Sequence, residues 1–298
     1  TKINTMSSEN IAEIILKTIN LLIGNLLSSI DNNLYKILDN IVFIDSNILK
    51  DKHFFEIFGT SSTNGILLIA NSLVLGFLLY FAIKYLLSNL TYITLESPSQ
   101  FIFKLIIVTI CMNSSFFILE QIINLNSNIT LAIKEIGENL FNKKICFSSL
   151  VSIINSNISV NISSIDIFSL DGIIKTTLTM SLLNLVLSYS YRYIMLKLFI
   201  LLTPFALISS CLNSTSWFFK SWIKNIFSLL FIQIIVSIIL LLIFSMDIST
   251  NNILTKFLYI AAINILIKAN SLAREFIGGV STSIPQNVNN LFSKFYKK

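Results

Sequence analysis

The sequence predicts an all-α, polytopic helical membrane protein of about five transmembrane helices, six being possible, with amphipathic N-terminal helices and a central extramembrane loop. Three observations predict it. Hydrophobic residues make up 54% of the 298 and charged residues only 12%, at a mean hydropathy of +0.79, whereas an ordinary soluble domain carries about 25% charged residues. A water-soluble fold of this size cannot hide so much apolar surface. Charge is also unevenly spread, with long stretches holding one lysine or none and polar residues gathered near the N-terminus, the middle and the end. The apolar stretches between them reach membrane-crossing length.

Residues 1–64 form an amphipathic helical N-terminal region. The first helix carries Ile11, Ile14, Ile15, Ile19, Leu22 and Leu26, with Glu13 four residues before Lys17 for a surface ion pair. In the second, Leu34, Ile37, Leu38, Ile41 and Val42 share one side, while Asp31, Lys36, Asp39 and Asn40 share the other. Such stripes lie on a bilayer or pack on a partner. Glu13, Lys17 and Asn20 make residues 11–30 a poor signal-peptide core.

Residues 65–119 are expected to hold the first two transmembrane helices. Gly65 to Leu87 would make about 34 Å of helix, enough for a hydrocarbon core of about 30 Å. After a polar turn with Glu96, Pro98 and Gln100, a second span is expected from Phe101 to about Leu119. Lys84 and Lys104 then face the same side of the membrane. Residues 120–172, rich in Asn, Ser and charge, read as the central extramembrane loop, with a short helix around 129–141.

A C-terminal transmembrane bundle is expected over residues 173–270. Its first tract, Ile173 to Leu212, would be about 60 Å long if fully helical, too long for one simple crossing. It is either one long tilted helix or a hairpin turning near Tyr191 and Arg192. Trp217, Phe218, Phe219, Lys220, Trp222 and Lys224 make an aromatic and basic band of the interfacial kind. An uncharged span from Ile226 to Met246 and a last one from Ile253 to Ala269 follow. Residues 271–298 are a basic tail, and with the tail cytoplasmic the long-helix reading has five spans and the hairpin six. The positive-inside count slightly favours six, because that arrangement brings Lys50, Lys52, Lys143 and Lys144 inside.

No catalytic constellation is visible, so the chain is expected not to be an enzyme and to need no cofactor. His53 is the only histidine, and Cys111, Cys146 and Cys211 are far apart, which leaves neither a metal spacing nor a Cys-His or Ser-His-Asp set. There is no phosphate-binding GxxxxGK[ST] loop, so a powered process would need a separate ATPase. Asp and Glu are absent from the interior of every expected span, which weighs against an ion-coupled transporter. The net charge of +6, all of it from residues after 190, suits attraction to anionic lipid.

Arg192 and Lys197 are the most costly charges if they lie in lipid. They line a wet path or contact a polyanion, or else they snorkel or mark a hairpin turn. Pro204 lacks an amide hydrogen and should free the carbonyl of Ile200, kinking the helix, either as static packing or for gating. Asn184 and Gln233, with Asn71, Asn113 and Asn264, either hydrogen-bond between helices or line a path. Trp217, Trp222, Lys220 and Lys224 are candidates for interfacial anchoring or subunit contact.

The segment from Arg192 to Leu242 resembles the TrbL-like family of conjugal transfer membrane proteins, the polytopic inner-membrane channel subunits of type IV secretion systems. The likeness lies in Arg192 within a long helix, Pro204 and Ala206, the stretch Trp217, Phe219, Lys220, Trp222, and a span bearing Gln233. It covers the last third to half of the chain. It implies five spans, an extracytoplasmic N-terminus and central loop, and a cytoplasmic tail in the inner membrane of a bacterium. It also implies a homo-oligomeric channel, assembled with other secretion subunits and a separate ATPase, that moves single-stranded DNA or protein. Many relatives carry long soluble C-terminal extensions, which the short tail here lacks. The alternative from another class is a stand-alone six-span permease for a small solute.

Overall fold

The computed structural model describes residues 14–15, 17–18, 21, 37–59, 65–91, 97–157, 170–246 and 253–278. The first amphipathic helix falls largely outside the described residues, as do the tail beyond residue 278 and the loop at Asp247. Regular structure among the described residues is entirely helical. A helical stretch over residues 37–42 and a 3-10 turn, Ser46–Ile48, precede nine helices. These are α1 (Lys52–Phe58), α2 (Gly65–Thr91), α3 (Pro98–Asn113), α4 (Ser115–Phe141), α5 (Phe147–Asn157), α6 (Leu170–Leu201), α7 (Thr203–Ser209), α8 (Ser216–Ser245) and α9 (Ile253–Ile277).

Four of these, α2, α4, α8 and α9, contain segments long and apolar enough to cross a membrane, and the bent pair α6–α7 makes a fifth if counted as one span. The chain is therefore a polytopic helical protein with the composition of one embedded in a membrane. Within their most apolar windows, α8 is 56% buried and α2 only 17%. Accordingly α8 is the axis of the fold, packing against α4, α6, α7 and α9, whereas α2 turns most of its surface outward.

The second expected span is corrected by the structure. Helix α3 stops at Asn113, and α4 begins at Ser115 and continues without a break to Phe141, through residues expected to lie in the central loop. The reason is a buried stripe, Leu119, Ile123, Asn126, Thr130 and Gly137, at helical spacing. It faces α8, and the polar members Asn126 and Thr130 disguise it in the sequence. At Gly137 the two helices meet closely: a Cβ there would lie 2.6 Å from Leu241 Cδ1 and 2.7 Å from Ile145 Cγ1. Asn142, left-handed at φ 52°, ends α4 with its amide on the Glu138 carbonyl. Helix α5 then occupies more of the expected loop, and residues 158–169 lie outside the described ones.

Helix α6 runs unbroken through Tyr191 and Arg192, where a hairpin would have had to turn, so the long-helix alternative describes this tract. It gives way at Leu202 to α7, which leaves at 51°. Pro204 sits in the first turn of α7, where a missing amide hydrogen is tolerated. Helix α7 is buried at Thr203, Pro204, Ala206 and Ile208, and the α2–α3 hairpin grips it. Leu67, Ala70 and Met112 surround Ile208, and Phe81 stacks on Phe101 at 3.8 Å beside Cys211. Asn71 and Asn113 exchange two carboxamide hydrogen bonds of 3.1 Å across the same hairpin.

The second amphipathic helix is described from residue 37. It packs on the bundle, burying Leu38 and Val42 completely, while Ile37 stays exposed. The strap that follows buries Ile44, Ile48 and Leu49, and α1 sets Phe55 and Phe58 edge-on against Phe116. Gly65 permits the return into α2: at φ +75° its Cβ position would lie 2.7 Å from the backbone nitrogen of Gly59.

Candidate functional site

Arg192 lies in α6 facing α8 and the N-terminal strap, with no exposed surface at all. Its Nε donates to the Leu229 carbonyl at 2.8 Å and its Nη1 to the Val42 carbonyl at 2.9 Å. Val42 is the last helical residue before the strap, so its carbonyl is one of the acceptors a helix end leaves open, and the negative end of the helix dipole sits there. A guanidinium, with five donors in a planar fork, can bridge two carbonyls on different elements, which an ammonium does less well. Nη2 has no hydrogen-bond partner.

Four residues along α8 from Leu229, Gln233 repeats the pattern. It is 1% exposed, and its Oε1 accepts from the Ile44 amide at 3.1 Å. Two side chains from two helices thus satisfy the backbone on either side of Phe43, where the chain leaves its helix and would otherwise bury unpaired polar groups. Phe43 itself carries the Lys134 ammonium 3.0 Å from its ring centroid. Asp39, one turn earlier, accepts from the Phe147 and Ser148 amides at the start of α5. The α6–α9 contact is tied in the same way: the Tyr189 hydroxyl donates to the Leu266 carbonyl at 2.8 Å, and Asn270 Nδ2 contacts Ser188 Oγ at 2.6 Å.

Lys197 lies further along α6 and differs in kind from Arg192. Its Nζ donates to Asp51 Oδ2 at 3.2 Å and stands 5.3 Å from the ring centroids of Phe54 and Tyr193. That hydrogen bond holds the Asp51 carboxyl below the ordinary carboxylate range. Asp51 borders a cavity of about 300 Å³ that is also lined by Asn40, Asp45, Asn47 and Tyr193.

The four residues expected along one path are not brought together. Arg192 and Gln233 converge on residues 42–44, Lys197 pairs with Asp51 at the edge, and Asn184 is exposed on α6. The aromatic and basic band also divides. Trp222 is 7% exposed, and its Nε1 donates to the Phe199 carbonyl at 2.9 Å, fastening α8 to the end of α6. Trp217, Lys220 and Lys224 face outward.

Asp39, Tyr189 and Asn270 belong to this polar framework but were not singled out in the sequence. Asp39 lies on the polar side of its amphipathic helix, which reads as solvent-facing. Only Tyr189, three residues before Arg192 and so on the same helix side, carries a signal that could have been used. Comparison with known families, curated proteins and solved structures finds no match to this chain.

Proposed function

We propose that this chain is a scaffold and channel subunit, without catalytic activity of its own, of a type IV secretion machine of the TrbL-like kind. In this reading it sits as a multi-pass protein in the cytoplasmic membrane of a bacterium with its C-terminus in the cytoplasm. Copies of it assemble with other secretion subunits and a separate ATPase to pass single-stranded DNA or protein.

The observation that carries the scaffold part is the use of Arg192 and Gln233. Each makes a side-chain bond that fastens residues 42–44 inside the bundle, and Arg192 Nε ties the same point to the Leu229 carbonyl of α8. The costliest polar groups of the apolar segments therefore support the subunit's own shape, and passage of a polymer falls to surfaces shared between subunits. The outward apolar surface of α2, including Leu75, Leu79 and Ile83, leaves room for lipid and neighbouring chains. The transfer role rests on the order of features from Arg192 to Gln233.

Deletion of the gene in its host, with complementation, tests the role. Conjugal transfer should be lost and restored by the wild-type chain, and purified protein alone in vesicles should pass no small solute. Undiminished transfer in the deletion strain would overturn the reading, and solute flux from the protein alone would favour the permease.

A further inference from the structure

We propose that the cleft between α4 and α8, at the end marked by Lys224, binds an anionic phospholipid. The cleft encloses about 150 Å³ and is walled by Ile122 and Ile129 of α4 and by Phe227 and Leu230 of α8, with Ile277 reaching it from α9. Apolar walls open to the bilayer need no special occupant. Asn126 makes this cleft different.

Asn126 lines the cleft with only 7% of its surface exposed, and its Nδ2 has no hydrogen-bond partner. A buried donor without an acceptor is costly, and native proteins keep few of them. An occupant that carries a carbonyl into the cleft removes that cost. It must also be apolar along its length, to match the isoleucines, leucine and phenylalanine around it.

The mouth of the cleft supplies the charge. Lys224 precedes Phe227 by about 4.5 Å of helix rise, on the outer side of the cleft. The ends of α8 and α9 are adjacent here, since Lys224 Cδ lies 3.9 Å from the Cβ position of Gly278. Lys220 is exposed one further turn out on α8. Cations at the rim, a donor just inside and an apolar channel beyond match the order of groups in a phospholipid: phosphate at Lys220 and Lys224, ester carbonyl at Asn126, acyl chain along Leu230. The site requires only that the chain lie in a membrane and is independent of the transfer role.

The full-length protein in detergent, titrated with phosphatidylglycerol and with phosphatidylcholine and read by native mass spectrometry, tests it. Phosphatidylglycerol should bind more tightly, by about fivefold for each rim cation engaged, and the double variant K220Q/K224Q should lose that preference. Asn126→Leu, which removes an unpaired donor, and Ile129→Trp, which fills the cleft from an exposed position, should each weaken both lipids without lowering the lipid-free thermal midpoint, which Asn126→Leu should raise. Equal binding of the two lipids by the wild type would overturn the site. So would unchanged phosphatidylglycerol binding in either cleft variant, which would leave the cleft to a partner helix.

Discussion

Arg192 and Val42 stand 150 residues apart in the chain and are joined at 2.9 Å, guanidinium to carbonyl, with no exposed surface on either residue. With the Ile44 amide on Gln233 and the Asp39 carboxylate on the start of α5, this contact sets the N-terminal segment into the bundle.

Replacing Arg192 by Met should leave the Val42 carbonyl buried and unpaired, at a cost of about 1–3 kcal/mol. The loss should appear as a lower thermal midpoint in detergent together with faster protease cleavage between residues 37 and 58. Gln233→Leu should do the same through the Ile44 amide. Because both side chains hold the same three residues, the double variant should lose less than the sum of the singles, with a coupling of about 0.5 kcal/mol or more. Strict additivity would show that the two fasten different things.

Gly137→Val should weaken the α4–α8 contact. The added atoms meet Leu241 and the buried Ile145 at distances real side chains do not tolerate, and overpacking of this kind costs about 1–3 kcal/mol. Unfolding in detergent measures it, and a wild-type midpoint would mean that α4 and α8 do not approach as described.

The Lys197–Asp51 contact should depend on pH. Since the hydrogen bond from Lys197 holds the Asp51 carboxyl below its ordinary range, the contact is intact above the unfolded carboxylate pKa and is lost as pH falls through the lowered one. Hydrogen exchange in α1 should therefore quicken on acidification. In Asp51→Asn this part of the pH dependence should vanish.

The two tryptophans should separate cleanly. Trp222→Phe loses the bond to the Phe199 carbonyl, worth about 0.5–1.5 kcal/mol, whereas Trp217→Phe, at an exposed position, should leave the melting temperature where it was. Equal effects from both would contradict the division of the aromatic band.

Much of the fold was legible because hydrocarbon-length apolar runs such as Gly65 to Leu87 and Ile226 to Met246 carry a signal in every residue. The extent of α4 was not. Its inward face includes Asn126, Thr130 and Gly137, and its C-terminal half carries Lys134, Glu135 and Glu138, so the polarity that marks a loop is here the polarity of one helix packed chiefly on α8. The site was half legible. Arg192 and Gln233 stood out as polar residues in apolar segments, but their partners are backbone groups of Val42, Ile44 and Leu229, and backbone groups are the same at every position in a sequence.

By itself, the sequence determined that this chain is a bundle of long helices with the composition of a membrane protein, because burial of apolar surface depends on which residues follow one another. Only the tertiary structure decided that α6 passes straight through Arg192, that α4 replaces an expected loop, and that Arg192 and Gln233 fasten the N-terminal strap. Those outcomes depend on which carbonyl or amide comes within 3 Å of a side chain across distant stretches of chain, and spacing along the sequence does not encode that distance.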